Sequence, residues 1–268
     1  MATPASPAIA APLPSADPFL AEEGFALDGL AEHWAAYAAR PPMSGEAMRG
    51  ADVKAQRVGV SGDRLMEEAG AAVAAAVRAL LLTAERRVSG PVLVLAGPGN
   101  NGGDGSVATR HLAAAGRRVA IVFVATESEP TTPDARRNWA RLEGTGADRL
   151  KAASERDVRY LTRGLEKAAL VVDALLGSGV HGSLREPIRS AVELVGRARE
   201  AGVPVLAVDT PTAVDLTSGA ASDPVVRADV TVTFHRPKIG HATRIGRALA
   251  GRVLVAPIGI PPEADPEV

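Results

Sequence analysis

Val92-Leu93-Val94-Leu95-Ala96-Gly97-Pro98-Gly99-Asn100-Asn101-Gly102-Gly103-Asp104-Gly105 is the stretch on which the reading of this chain turns. Its first five residues are uninterrupted aliphatics, the pattern of a strand buried on both faces. The strand empties into glycine, asparagine and aspartate, which read as a loop. Residues 106–115 then read as a helix, stopped by Gly116. Strand, glycine-rich turn and helix together expose backbone N–H groups at a helix N-terminus, which favours phosphate. The side-chain oxygens of Asn100, Asn101 and Asp104 exceed what phosphate needs, so the loop is expected to hold something more.

The rest of the chain repeats the alternation. Expected strands lie at 119–124, 169–172, 204–208, 230–233 and 252–255, and helices at 44–58, 63–81 and 186–201. Thr132-Pro133-Asp134 opens another helix, threonine as cap and proline at the first helical position. Alternating strands and helices imply right-handed crossovers and an α/β fold: a mostly parallel sheet with helices on both faces. Residues 1–42 are expected to be a disordered or weakly helical extension, and 43–268 a single domain.

Composition narrows the function. The 268 residues are 46% hydrophobic, only 3% aromatic, and carry a net charge of −1. That balance gives no basic footprint for nucleic acid or an anionic membrane. There is no cysteine, which excludes disulfides, thiolate catalysis and cysteine-ligated metals. The five histidines are scattered, and none forms an HExxH pair. No apolar run is long enough to span a bilayer, and the first residues lack a basic signal region. Cytoplasm is the expected compartment.

Ligands of open parallel sheets bind beyond the carboxyl ends of the strands. Three such ends are polar here: the glycine–asparagine loop, Asp173 with Ala174-Leu175-Leu176-Gly177-Ser178-Gly179, and Asp209 with Thr210-Pro211-Thr212-Ala213. Asn101, Asp173, Asp209 and Thr212 should therefore meet at one rim, as a hard-cation or polar-ligand site. His181 and Arg185 read as solvated loop residues, Lys238 as a surface charge and Met66 as core. Gly97, Gly99 and Gly102 satisfy GxGxxG, yet Pro98 stiffens the turn, and only Glu127 or Glu129 stand near the place of a ribose-binding acid. No GK[ST] follows.

These residues resemble the YjeF N-terminal domain family, the NAD(P)H-hydrate epimerases, over most of residues 43–261. The likeness rests on Leu65-Met66-Glu67-Glu68-Ala69-Gly70, on the specific loop Asn100-Asn101-Gly102-Gly103-Asp104-Gly105, and on Val172-Asp173-Ala174-Leu175-Leu176-Gly177-Ser178-Gly179. Ala228-Asp229-Val230-Thr231-Val232-Thr233-Phe234 and Ile258-Gly259-Ile260-Pro261 resemble its later segments. The resemblance implies a Rossmann-like three-layer α/β/α sandwich, commonly a homodimer. It implies a substrate, NADHX or NADPHX, that is NADH or NADPH hydrated at C6 of the nicotinamide ring. The implied reaction interconverts the R and S hydrates, so that a separate dehydratase can restore the cofactor. It places potassium on Asn101, Asp173 and Thr212. It places the substrate on Asn100, Asn101, Gly102, Gly103 and Asp104, on Gly177, Ser178, Gly179, Val180, His181, Gly182 and Ser183, and on Asp209.

One segment departs from the family pattern. Asp209-Thr210-Pro211-Thr212-Ala213 stands where the family reads Asp-Ile-Pro-Ser-Gly. Threonine keeps the hydroxyl, but alanine in a glycine's place is costly if that backbone needs a positive φ. The chemistry itself requires the C6–O bond to break, with the ring nitrogen lone pair expelling the hydroxyl to leave an iminium. A carboxyl group would protonate the departing oxygen and then guide water to the opposite face. Asp209 is the first choice for it and Asp104 the alternative. The competing reading is a catalytically impaired, nucleotide-binding or scaffold protein; a nicotinamide dehydrogenase is a third.

Overall fold

The computed structural model describes residues 11–22, 24–84, 89–177 and 183–265. Three short helices, α1 (Pro18–Ala21), α2 (Leu27–His33) and α3 (Ala35–Ala38), precede α4 (Gly45–Arg57) and the long α5 (Gly62–Thr83). Then come β1 (Val92–Ala96), α6 (Asn100–Ala114), β2 (Val119–Val124), α7 (Pro133–Ala140), β3 (Asp148–Ala152), α8 (Glu155–Leu161) and β4 (Leu170–Ala174). The second half contributes α9 (Ile188–Glu200), β5 (Val205–Val208), β6 (Val230–Phe234), α10 (Ile239–Ala242), α11 (Arg244–Ala250) and β7 (Arg252–Ala256). The caps follow sequence chemistry, for the hydroxyls of Ser44, Ser61 and Thr132 accept from Ala47, Arg64 and Ala135 N–H groups.

All seven strands are parallel, in the order β3-β2-β1-β4-β5-β6-β7. Period-two alternation divides β1 between two cores. Val92, Val94 and Ala96 join the cluster built on α5 and α6, whereas Leu93 and Leu95 join the one beneath α8 and α9. The sheet is thus covered on both faces, which is why its strands read as continuous apolar runs. Residues 11–40 add to the first core: Leu30 and Trp34 are fully buried, and the buried Glu68 carboxylate accepts from the backbone N–H and hydroxyl of Ser15 at 2.8 Å. Among the described residues, no helix is long and apolar enough to cross a membrane.

Strand order reverses between β1 and β4, and there the crossovers part to opposite faces. The ends of these two strands touch. The Gly97 N–H donates to the Ala174 carbonyl at 3.0 Å, and a Cβ built at Gly97 would lie 1.8 Å from the Leu175 carbonyl oxygen. Only glycine permits that approach.

Two expectations need correction. The glycine–asparagine stretch is not a loop before a helix starting at 106; α6 begins at Asn100. Its glycines serve contact rather than flexibility, since a Cβ at Gly102 would stand 2.0 Å from the Gly97 carbonyl oxygen and one at Gly103 would stand 2.6 Å from Met66. Furthermore, β3 and α8 have no counterpart in the sequence reading. β3 is an edge strand whose first four residues are exposed, so it carries no hydrophobic alternation.

Candidate active site

Around the switch point lies a cavity of about 430 Å³. Its floor is the start of α6, with Gly99, Asn100, Asn101 and Asp104, and its back is Leu175-Leu176-Gly177 after β4. Asp209 enters from the end of β5 and Phe234 from the end of β6. One wall is a face of α4, where Met48, Asp52 and Gln56 stand four residues apart, and α5 adds Leu65, Met66 and Ala69. Thr132 ties the far rim, its hydroxyl donating to the Asn100 side-chain oxygen at 2.6 Å while it caps α7.

Asp209 is held by its backbone. Its φ is 62°, and the Thr210 N–H closes a tight turn onto the Val208 carbonyl at 2.7 Å. The Asp209 N–H donates to the Val232 carbonyl at 2.7 Å, and Oδ1 accepts from the Thr233 hydroxyl at 2.9 Å. A non-glycine residue in the left-handed region costs energy that the surroundings must offset, and such residues gather at functional sites. Opposite it, burial pushes the Asp104 carboxyl well above the usual carboxylate range, reinforced by the Asp209 and Asp52 carboxylates. Burial raises Asp52 too, against the hydrogen bond from Gln56 and with the help of Asp134.

Beneath the cavity, Asp173 is wholly buried. Its Oδ2 accepts from the Thr212 N–H and its Oδ1 from the Thr212 hydroxyl, both at 2.7 Å, and Oδ1 also accepts from Leu175 N–H at 3.2 Å. Burial outweighs these bonds and lifts its pKa to about 6. The Thr212 hydroxyl lies 3.3 Å from the Leu176 carbonyl oxygen. Asn101 approaches the turn that follows Asp173: its Oδ1 stands against Gly177, and its Nδ2 is buried with no hydrogen-bond partner. An orphaned buried amide is costly unless something it can bind is present. Turned over, the amide would place its single oxygen where Nδ2 now stands, where a cation could meet it. One carboxylate among neutral oxygens is a donor set for a hard ion of low charge. Among the described residues, no cluster of three or more His, Cys, Asp or Glu side chains offers a site of the transition-metal kind.

The structure therefore brings Asn100, Asn101, Asp104, Gly177 and Asp209 to one cavity, whereas Asp173 and Thr212 are buried and do not line it. Gly102 and Gly103 pack behind it, and Ser183 is exposed away from it. Ser178, Gly179, Val180, His181 and Gly182 lie outside the described residues. Met66 is core, packed on Val107 and Ala135, and also lines the cavity; Lys238 differs from its sequence reading, being fully buried instead of a surface charge. The contribution of α4 was not foreseen, although the i, i+4, i+8 placement of Met48, Asp52 and Gln56 marks a mixed polar face that a simple surface helix does not need.

Ala213 settles the question raised by its position, for its φ is 76°. An L-residue there costs about 1–2 kcal/mol, and glycine returns part of the gain through unfolded-state entropy. Ala213→Gly is expected to stabilise the protein by about 0.5–1 kcal/mol, seen as a small rise in the urea midpoint with an unchanged slope. A fall in the midpoint would show that the turn is not strained.

Comparison with known proteins gives a consistent result. The model of the family described as YjeF-related protein N-terminus matches residues 62–240. A Pyrobaculum aerophilum protein, the bifunctional NAD(P)H-hydrate repair enzyme Nnr, is 41% identical over 216 residues, covering 80% of this chain and 41% of that one. The NAD(P)H-hydrate epimerase of Cenarchaeum symbiosum is 39% identical over 201 residues, covering 75% of this chain and 87% of that one. This chain therefore spans about two-fifths of the bifunctional relative and most of the epimerase. The crystal structure of yeast ynu0 aligns with a TM-score of 0.66 at 28% identity, covering 76% of this chain and 84% of the yeast chain.

Proposed function

Because this chain belongs to the family of YjeF-related protein N-termini, we propose that it is an isomerase that interconverts the R and S hydrates of NADH and NADPH at the switch-point cavity. The observation that carries the reading is the pair Asp104 and Asp209, which line one cavity in opposite settings. Asp104 is buried towards its neutral, proton-donating form, and Asp209 accepts a hydroxyl hydrogen bond that a carboxylate suits. Two carboxyl groups set apart by their surroundings are the usual arrangement for acid and base roles at neutral pH.

In this mechanism Asp104 gives its proton to the C6 hydroxyl, the C6–O bond breaks, and water leaves. The ring nitrogen lone pair closes to an iminium, whose positive charge faces the carboxylates of the cavity. Asp209 takes a proton from a water molecule as that water adds to the opposite face of C6. The product leaves Asp104 ionised and Asp209 protonated, which is the starting state for the reverse reaction. Exchange of protons with solvent resets the pair. The test is to follow both hydrate epimers by chromatography: a mixture depleted in one epimer should re-equilibrate far faster with the protein than without it. Equal rates would overturn the reading.

The proposal includes a potassium ion on Asn101, Asp173 and Thr212, supported by the oxygen-only donor set and the orphaned Asn101 amide. Bound there, the ion would order the turns after β4 and β5 and balance the buried Asp173 charge. Replacing potassium with tetramethylammonium should lower the melting temperature by about 5 °C, the loss expected for a ligand held near saturation. An unchanged melting temperature would remove the ion from the account. Pairing as a homodimer, and a separate NAD(P)H-hydrate dehydratase that uses the delivered epimer, complete the proposal; the word bifunctional in the relative's name supports the second.

The impaired-protein reading rests on the altered turn at Thr212-Ala213. The Thr212 hydroxyl nevertheless bonds Asp173, and Ala213 takes the left-handed conformation a glycine would take. Both features favour the working enzyme.

A further inference from the structure

We infer that Lys238 is a positioning residue that acts through the Thr233 hydroxyl to hold Asp209 ionised and oriented as the base of the cavity. Its functional consequence rests on the epimerase reading, whereas the coupling of the three side chains does not.

Lys238 has no exposed surface, and its Nζ donates to three acceptors: the Thr233 hydroxyl at 2.8 Å, the Phe234 carbonyl at 2.9 Å and the Arg236 carbonyl at 3.0 Å. A carbonyl can only accept, so two of the nitrogen's hydrogens go to Phe234 and Arg236, and as an ammonium Lys238 gives its third to the Thr233 hydroxyl. The Thr233 oxygen that accepts from Lys238 has its own proton left to give, and the acceptor in reach is Asp209 Oδ1 at 2.9 Å. With Lys238 charged, donor polarity runs from ammonium to hydroxyl to carboxylate, and the proposal takes this arrangement. The ammonium also stands 3.7 Å from the same Oδ1. Oδ1 is engaged from behind, which leaves Oδ2 for the cavity that Asp209 lines.

The residues around this chain of bonds fit that role. Asp104 on α6, and Lys238 and His241 on the segment after β6, interact with Asp209, and Arg49 and Asp52 of α4 and Asp134 of α7 line the same cavity. His241 is buried with neither ring nitrogen hydrogen-bonded, and burial drives its pKa down to about 4, so it is neutral. Lys238 is thus the positive charge that stands 3.7 Å from Asp209 Oδ1, while Arg49 lines the cavity that Asp209 shares. Burial also lowers the Lys238 pKa, and Asp209 opposes that fall. A buried ammonium costs too much to hold for packing alone. Its three acceptors and the nearby carboxylate explain why it is kept.

Coupling of this kind is reciprocal, so it can be read at the lysine without any substrate. Lys238 is one of four lysines, which makes its Nζ signal assignable by nitrogen NMR through Lys238→Met. In Asp209→Asn the Lys238 titration midpoint should fall by about one pH unit or more. Coincident titration curves would overturn the proposal. The second measurement is kinetic. Thr233→Val should lower kcat by about tenfold to a hundredfold, the worth of a hydrogen bond to a charged group, with KM nearly unchanged. The acid limb of its pH profile should move to higher pH, and Thr233→Ser should restore both. A valine variant with the wild-type pH profile would also overturn it, because a merely structural threonine leaves that profile in place. Should the wild type fail to interconvert the hydrates, the epimerase reading falls, and the Nζ titration still decides whether Lys238 is coupled to Asp209.

Discussion

Asp209→Asn is expected to lower the rate of the proposed hydrate interconversion by about a thousandfold, the middle of the range for loss of a general acid–base group. The substitution is nearly isosteric. An asparagine carbonyl still accepts from the Thr233 hydroxyl, so the turn with φ 62° and its bond to the Val232 carbonyl are retained. What is lost is the ability to take a proton from the incoming water. On the proposed mechanism such a loss acts on kcat and leaves KM nearly unchanged, since the cavity keeps its shape and its other lining groups. Steady-state rates on a hydrate mixture, with a melting curve to establish folding, check it. A folded variant with near-wild-type rates would exclude Asp209 from the chemistry and leave Asp104 as the acting carboxyl group.

Gly102→Ala gives the largest structural effect. The added methyl would meet the Gly97 backbone, 2.0 Å from its carbonyl oxygen and 2.9 Å from its carbonyl carbon and nitrogen. No side-chain rotation relieves such a contact, so either the first turn of α6 or the end of β1 must move. Overpacking a close backbone approach costs about 3 kcal/mol or more, the upper part of the usual range. Because Asn101 and Asp104 lie close to this residue on α6, the movement would also displace the proposed cation ligand Asn101 and the proposed acid Asp104 together. A drop in the denaturant midpoint with parallel loss of activity is the expected outcome. Wild-type stability in this variant would mean that the contact between α6 and β1 is looser than described.

How far the sequence carried this account depends on where each signal lives. β1, β2, β4, β5 and β6 were legible because a sheet covered on both faces demands apolar runs, and such runs survive without tertiary context. β3 was not, since Asp148-Arg149-Leu150-Lys151 lies at an edge and has no core to face. The approach of Asn101, Asp173, Asp209 and Thr212 to one end of the sheet was also readable, because parallel strands deliver their carboxyl ends to one side. The start of α6 was misjudged for a local reason: glycine-rich sequence signals a turn, whereas these glycines accommodate a helix pressed against two strand ends. Lys238 was beyond local reasoning. Its acceptors are two carbonyls of its own turn and one hydroxyl five residues back, and nothing in that spacing announces burial.

Equilibrating one hydrate epimer with the protein in heavy-oxygen water, and weighing both epimers by mass spectrometry as they interconvert, goes to the heart of the matter. Departure of the C6 hydroxyl under Asp104 and return of solvent water under Asp209 require the new epimer to carry the heavy oxygen, at a rate far above that of the protein-free mixture. Interconversion that retains the original light oxygen would contradict the account, whatever the two aspartates prove to do.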